Sequence, residues 1–93
     1  AWGVEVDTMA RRVVKKGTEI FLTPREFDLL EILMRNPGVA LYRDVLFERA
    51  WGGEPEDNTR TLDLHVLRLR KTLGWQDKIK TVFKVGYMLE KEP

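Results

Sequence analysis

The 93-residue chain has no cysteine, no serine and a single histidine, His65. Without thiols no disulfide framework can form, which suits a reducing compartment. The same shortage leaves little material for nucleophile–base pairs or clustered metal ligands, and no glycine-rich phosphate loop is present. No catalytic residue, metal or cofactor is therefore expected, and the chain reads as a non-enzyme. No apolar run approaches the ~20 residues needed to span a bilayer. The opening AWGVEVD has neither a basic leader nor a long apolar segment. The expectation is a soluble, cytoplasmic domain with no membrane partner. Net charge is also nearly missing, +1 overall, but it is unevenly placed: 8 basic and 11 acidic residues from Ala1 to Asp57, against 7 and 2 from Asn58 to Met88. A basic last third points to a polyanion at one face.

What is present is a succession of short periodic segments. VEV, RRVVK and TEIFL are rich in β-branched residues and roughly alternating, with Gly17 in the turn KKG, and predict a small antiparallel sheet. TPREFDLLEILMRNPG predicts a helix with Thr23 as N-cap, Pro24 at the first helical position and Glu26 closing a capping box. Its apolar set is Phe27, Leu30, Leu33 and Met34, with Arg25, Asp28, Glu31 and Arg35 facing water. A second helix is expected from Arg43 to Trp51, with Val45, Leu46, Phe47 and Ala50 as its apolar surface. Tyr42 stands where a short polar cap is preferred, and only Asp44 favours the helix dipole. After the loop GGEPEDN, a third helix runs over 59–73 with Asn58 or Thr59 as cap. KIKTVFKVGYMLE predicts a basic hairpin that turns near Lys84 to Gly86.

The third helix carries the functional signal. In RTLDLHVLRLRKTLG, Leu62, Val66, Leu69 and Leu73 form one helical stripe and so face the core. The opposite side holds Arg60, Thr61, Arg68 and Lys71 around Leu64 and Leu67, with Asp63 at its edge. A basic face with apolar contacts in it expects a partner. His65 flanks the core stripe and reads as a packed, hydrogen-bonded ring, and Trp51 and Tyr87 read first as core aromatics.

Taken in order, LTPREFDLLEILMRNPG, RDVLFERAWG, RTLDLHVLRLRKTLG and KTVFKVGY resemble the C-terminal winged-helix effector domain of OmpR/PhoB-type two-component response regulators, over nearly the whole chain. The resemblance implies an α+β winged helix-turn-helix in one domain, 1–93. Its parts are an N-terminal sheet (1–22), a three-helix core (23–74) and a wing hairpin (78–90). Ala1 then begins an effector domain whose receiver, its partner in the full-length protein, is absent. It further implies sequence-specific binding of double-stranded DNA at direct-repeat promoter sites, with the third helix in the major groove and the wing at the minor groove. Arg68 is matched to base reading, Leu64 to a thymine methyl, and Asp63 either to a cytosine amine or to orienting Arg60 through an (i, i+3) pair. Arg43, Trp51, Arg60, Thr61, Arg70, Lys71, Thr81 and Lys84 are matched to phosphate contact and positioning. Glu54, Glu56 and Asp57 in the loop 52–58 are matched to an RNA polymerase contact.

Two departures from the family pattern bear on function. Leu67 stands where relatives often have a second arginine, and it meets either another methyl or water. Phe83-Lys84 replaces the Arg-Gly of many wings, so Lys84 must supply the wing charge and the turn is expected to rely on Gly86. The alternative to DNA binding is a protein-interaction module that uses the Leu64/Leu67 face. With no heptad seam and no unused apolar helix, the fragment is expected to be monomeric in solution.

Overall fold

The computed structural model describes residues 1–53 and 59–93. Three short strands open the chain: β1 (Val4–Asp7), β2 (Arg12–Lys15) and β3 (Thr18–Ile20), paired antiparallel in that order. Val13 on the middle strand faces Val6 on one neighbour and Ile20 on the other. That apolar row makes one face of the sheet a wall of the core, with Val4 and Val13 buried. The expected third strand stops two residues early, and Phe21 lies exposed beyond it.

The helical core consists of α1 (Pro24–Arg35), α2 (Arg43–Trp51) and α3 (Thr59–Leu73). The capping box of α1 forms as expected: Glu26 N–H donates to Thr23 Oγ1 at 3.3 Å, and Thr23 N–H donates to Glu26 Oε1 at 2.9 Å. Phe27, Leu30 and Leu33 are buried and Met34 is half-buried, but Leu29 is buried as completely as any of them. The reason is that α1 packs against α2, α3 and a strand of the second sheet, so one helical stripe does not exhaust its contacts. Its outer charges pair with one another, Arg25 with Asp28 at 3.8 Å and Arg35 with Glu31 at 3.4 Å. Arg11 also reaches Asp28, at 3.1 Å. Such exposed pairs add little stability.

The second sheet is larger than the expected hairpin. Leu41–Tyr42 forms a short strand, β4, which pairs with β6 (Gly86–Leu89), and β6 pairs with β5 (Ile79–Val82), all antiparallel in the order β4-β6-β5. This strand corrects the assigned role of Gly86. The glycine lies within β6, and a Cβ there would sit 2.1 Å from the Leu41 carbonyl oxygen. Its absent side chain is what lets β4 approach. The left-handed residue of the wing turn is Lys84 instead, at φ 63°.

The same contact settles how α2 starts without a side-chain cap. Tyr42 makes no capping bond, but Arg43 N–H donates to Val85 O at 3.1 Å, so the sheet satisfies a donor at the start of α2. On α3 the predicted stripe Leu62, Val66, Leu69 and Leu73 is fully buried. The helix ends in a Schellman motif: Trp75 N–H donates to Arg70 O at 2.8 Å and Gly74 N–H to Lys71 O at 3.3 Å, with Gly74 at φ 67°. Lys15 of β2 donates to the Leu73 carbonyl, tying the first sheet to the basic end of α3. The expected Asn58 cap and the acidic residues Glu54, Glu56 and Asp57 lie outside the described residues.

Candidate nucleic-acid interface

Burial of one stripe of α3 fixes what the other presents. Arg60, Leu64, Leu67, Arg68 and Lys71 are all exposed, with Leu64 at 51% and Leu67 at 59%. None of the three cations forms an ion pair with a described residue. With respect to the described residues, this face sets three cations without ion-pair partners around two leucines, a surface suited to an anionic partner that also carries apolar groups. Thr61 is half-buried at the edge of this face, and its carbonyl accepts from His65 Nδ1 at 2.7 Å, so that nitrogen carries the proton. The His65 and Trp51 rings pack at right angles with their centroids 5.0 Å apart, as expected of a packed histidine.

Asp63 and Arg70, two residues matched to the DNA surface, also have partners inside the domain. Asp63 does not pair with Arg60. One carboxylate oxygen takes the Arg43 guanidinium, and the other accepts from Tyr87 Oη at 2.5 Å. The carboxylate therefore joins α2, α3 and β6. Arg70, assigned to phosphate, bonds the wing: Nε and Nη2 donate to Ile79 O at 2.9 and 2.6 Å, and Nη2 also donates to Thr81 Oγ1 at 2.9 Å. Thr81 thereby has a partner in the protein as well. Together these bonds set the position of the hairpin relative to α3.

Tyr87 occupies the centre of this network, almost wholly buried, with the Arg70 guanidinium 5.3 Å from its ring centroid. Burial pushes its hydroxyl up to about 12, and the bond to Asp63 adds to the shift, while Arg43 and Arg70 oppose it. Sequence reasoning placed Tyr87 in the core but missed it as the partner of Asp63. A buried tyrosine needs a hydrogen-bond acceptor, and that requirement was the available signal.

On the second helix, Arg43 is partly exposed beside Asp63. Trp51 is half-buried, stacked on Phe47 at 4.8 Å with Arg25 5.7 Å above its ring. Its indole N–H bonds to no described residue. On the wing, Lys80, Phe83 and Lys84 are exposed. Among the described residues, no group of three or more His, Asp or Glu side chains is placed to hold a metal ion, and no helix is long and apolar enough to cross a membrane.

Residues 17–89 match the family described as "Transcriptional regulatory protein, C terminal". The chain belongs to that family. This transcriptional-regulator domain is 42% identical over 90 residues to the phosphate regulon transcriptional regulatory protein PhoB of Rhizobium meliloti, an alignment covering 94% of this chain and 40% of that protein. It is also 42% identical over 88 residues to the DNA-binding response regulator MtrA of Mycolicibacterium smegmatis, covering 90% of this chain and 39% of MtrA. The domain therefore spans about two fifths of the length of these curated relatives. Among solved structures it resembles the Klebsiella pneumoniae RstA DNA-binding domain in complex with RstA box, with a TM-score of 0.87 and 29% identity over 95% of this chain and 91% of that one. The resemblance drawn from the sequence, to an OmpR/PhoB-type winged-helix effector domain, is borne out in family and fold.

Proposed function

We propose that this regulator domain binds double-stranded DNA in a sequence-specific way, with α3 in the major groove. The observation that carries the reading is the outward face of α3: Arg60, Arg68 and Lys71, three cations that form no ion pair with a described residue, around exposed Leu64 and Leu67, on a helix whose other stripe is fully buried. A guanidinium can bond both acceptors of a guanine, which suits Arg68, and a leucine packs against a thymine methyl, which suits Leu64. Arg60, Thr61 and Lys71 are assigned to phosphates, joined from the second helix by Arg43 and the indole N–H of Trp51. Asp63 is assigned to holding Arg43 rather than to reading a base, and Arg70 and Thr81 to bracing the wing, with Lys84 as the wing's phosphate contact. In a full-length regulator a receiver domain governs this module, and Glu54, Glu56 and Asp57 are a candidate contact for RNA polymerase.

An anisotropy titration of labelled duplex at two salt concentrations tests the reading. Contacts with ~5–8 phosphates require log affinity to fall with log salt at about −0.9 per contact. The Arg68→Ala variant should lose ~1–3 kcal/mol on a selected site and discriminate less at one base pair. The exposure of both leucines favours one competing reading, a protein-docking face, and salt-insensitive binding centred on Leu64 and Leu67 would establish that instead.

A further inference from the structure

The wing ends in a feature that charge alone does not explain. Phe83 sits at the hairpin apex with 83% of its surface exposed. The turn is tight: Val85 N–H donates to Val82 O at 3.0 Å, and Lys84 takes the left-handed conformation beside the ring, its ammonium 5.5 Å from the ring centroid. From Lys78 to Leu89 the hairpin has three lysines and no acidic residue. Lys80 and Lys84 form no ion pair with any described residue. Phe21 is equally exposed but lies just past β3, where the Arg12–Glu19 pair already neutralises charge. The wing thus joins a bare aromatic ring to cations that no described residue pairs. Its base is rigid, held to α3 by Arg70 and to β4 by the ladder with β6.

The complement of such a tip is a groove with phosphates on its rim and the edges of stacked bases on its floor, whose faces open to a ring when a step unstacks, which describes the DNA minor groove. We propose that Phe83 is a wedge residue: when α3 occupies the major groove, the wing enters the adjacent minor groove, and the Phe83 ring inserts part-way between two base pairs while Lys80 and Lys84 neutralise the flanking phosphates. The inference rests on the DNA-binding reading above and adds a specificity determinant to it. Partial unstacking kinks a duplex, and it costs least at pyrimidine–purine steps. The wing therefore selects a TA or CA step by deformability, without a hydrogen bond to a base. A guanidinium in the same place would respond to groove width and leave the stack intact.

The probe is a duplex selected by the 93-residue chain from randomised oligonucleotides, end-labelled for energy transfer and mapped with permanganate, which oxidises unstacked thymines. Wild-type protein should shorten the end-to-end distance and make one thymine, at a pyrimidine–purine step to one side of the α3 footprint, hyper-reactive. Phe83→Ala should remove both signals and weaken binding about tenfold, the size of one base–aromatic contact, while Phe83→Leu keeps part of the bend. Phe83→Arg should retain affinity with a salt slope steeper by about one unit, again without hyper-reactivity. Because the ring is exposed, all three variants should match wild type in thermal unfolding. If wild type binds with unaltered stacking, or Phe83→Ala bends the duplex equally well, the wedge is overturned while DNA binding stands. A loss confined to tandem sites, where the ring touches a second copy, also overturns it. If no salt-dependent duplex binding is found, the underlying reading falls and the wedge with it.

Discussion

Asp63 bears a negative charge at the edge of a face assigned to a polyanion, and that makes its role testable by sign. On Coulomb's law alone, Asp63→Asn should tighten DNA binding, since it removes a charge that repels phosphate. The structure has that carboxylate holding Arg43 and accepting from Tyr87 Oη at 2.5 Å. Weakening one hold on Arg43 loosens an oriented cation, so the neutral variant should bind more weakly at low salt, with a shallower salt slope. Tighter binding by Asp63→Asn in an anisotropy titration would mean that Arg43 needs no positioning. Tyr87 supplies a second test. Its hydroxyl is raised from 10.0 to about 12 by burial and the Asp63 bond, so the fold favours the neutral phenol. That contribution is intact below pH 10 and is lost as pH rises towards 12. The stability difference between wild type and Tyr87→Phe should be constant at neutral pH and shrink over this alkaline range, as measured by urea unfolding. A constant difference would place the shift elsewhere.

Strand β4 is only two residues long, yet it sets the start of α2 and with it the backbone of Arg43. Gly86→Ala should be among the most damaging single substitutions in the second sheet. The new Cβ would meet backbone atoms, the Leu41 oxygen at 2.1 Å and the Arg43 nitrogen at 2.9 Å, which cannot rotate away. Overpacking of this kind costs about 3 kcal/mol. Denaturant unfolding should report it, and DNA affinity at full folding should fall as well because Arg43 moves. At this scale the chain was legible wherever a pattern repeats. The capping box of α1, the buried stripe of α3 and the β-branched runs of β1 and β2 each rest on several residues close in sequence, and all three formed as read. Leu41–Tyr42 has no period to show, and so β4 was missed, and with it the reason for Gly86. Partners of single polar groups were equally hidden: neither the pairing of Asp63 with Arg43 nor that of Arg70 with Ile79 O follows from spacing, since each spans separate elements that only the packed core brings together.

For the molecule as a whole, the question is how a domain this small selects a site. One helix in a major groove reads a handful of base pairs, and a genome offers ~10⁶–10⁹ competing sites, so a single copy cannot be selective enough. The expectation is that two copies bind together on DNA. The described surface offers no extended apolar face for a permanent dimer: Leu64 is assigned to DNA with Leu67 beside it on the same helix face, while Met9, Phe21, Val39, Tyr42 and Phe83 are exposed at separate points along the chain. The expectation is a monomer in solution that pairs on its site. If two copies bind in the same orientation, each with α3 in the major groove on one side of the duplex, their half-sites must lie about one helical turn apart, ~10–11 bp. Head-to-tail contact joins two different surfaces and therefore calls for direct repeats, whereas a self-complementary contact calls for inverted ones. Binding to paired half-sites of varied spacing decides between them. Affinity for direct repeats should peak near one turn and drop when the spacing is lengthened by half a turn, which places the second copy on the opposite side. Analytical ultracentrifugation without DNA should give a single species of 10.9 kDa. A peak on inverted repeats, or a dimer in free solution, would replace the head-to-tail arrangement with a two-fold one.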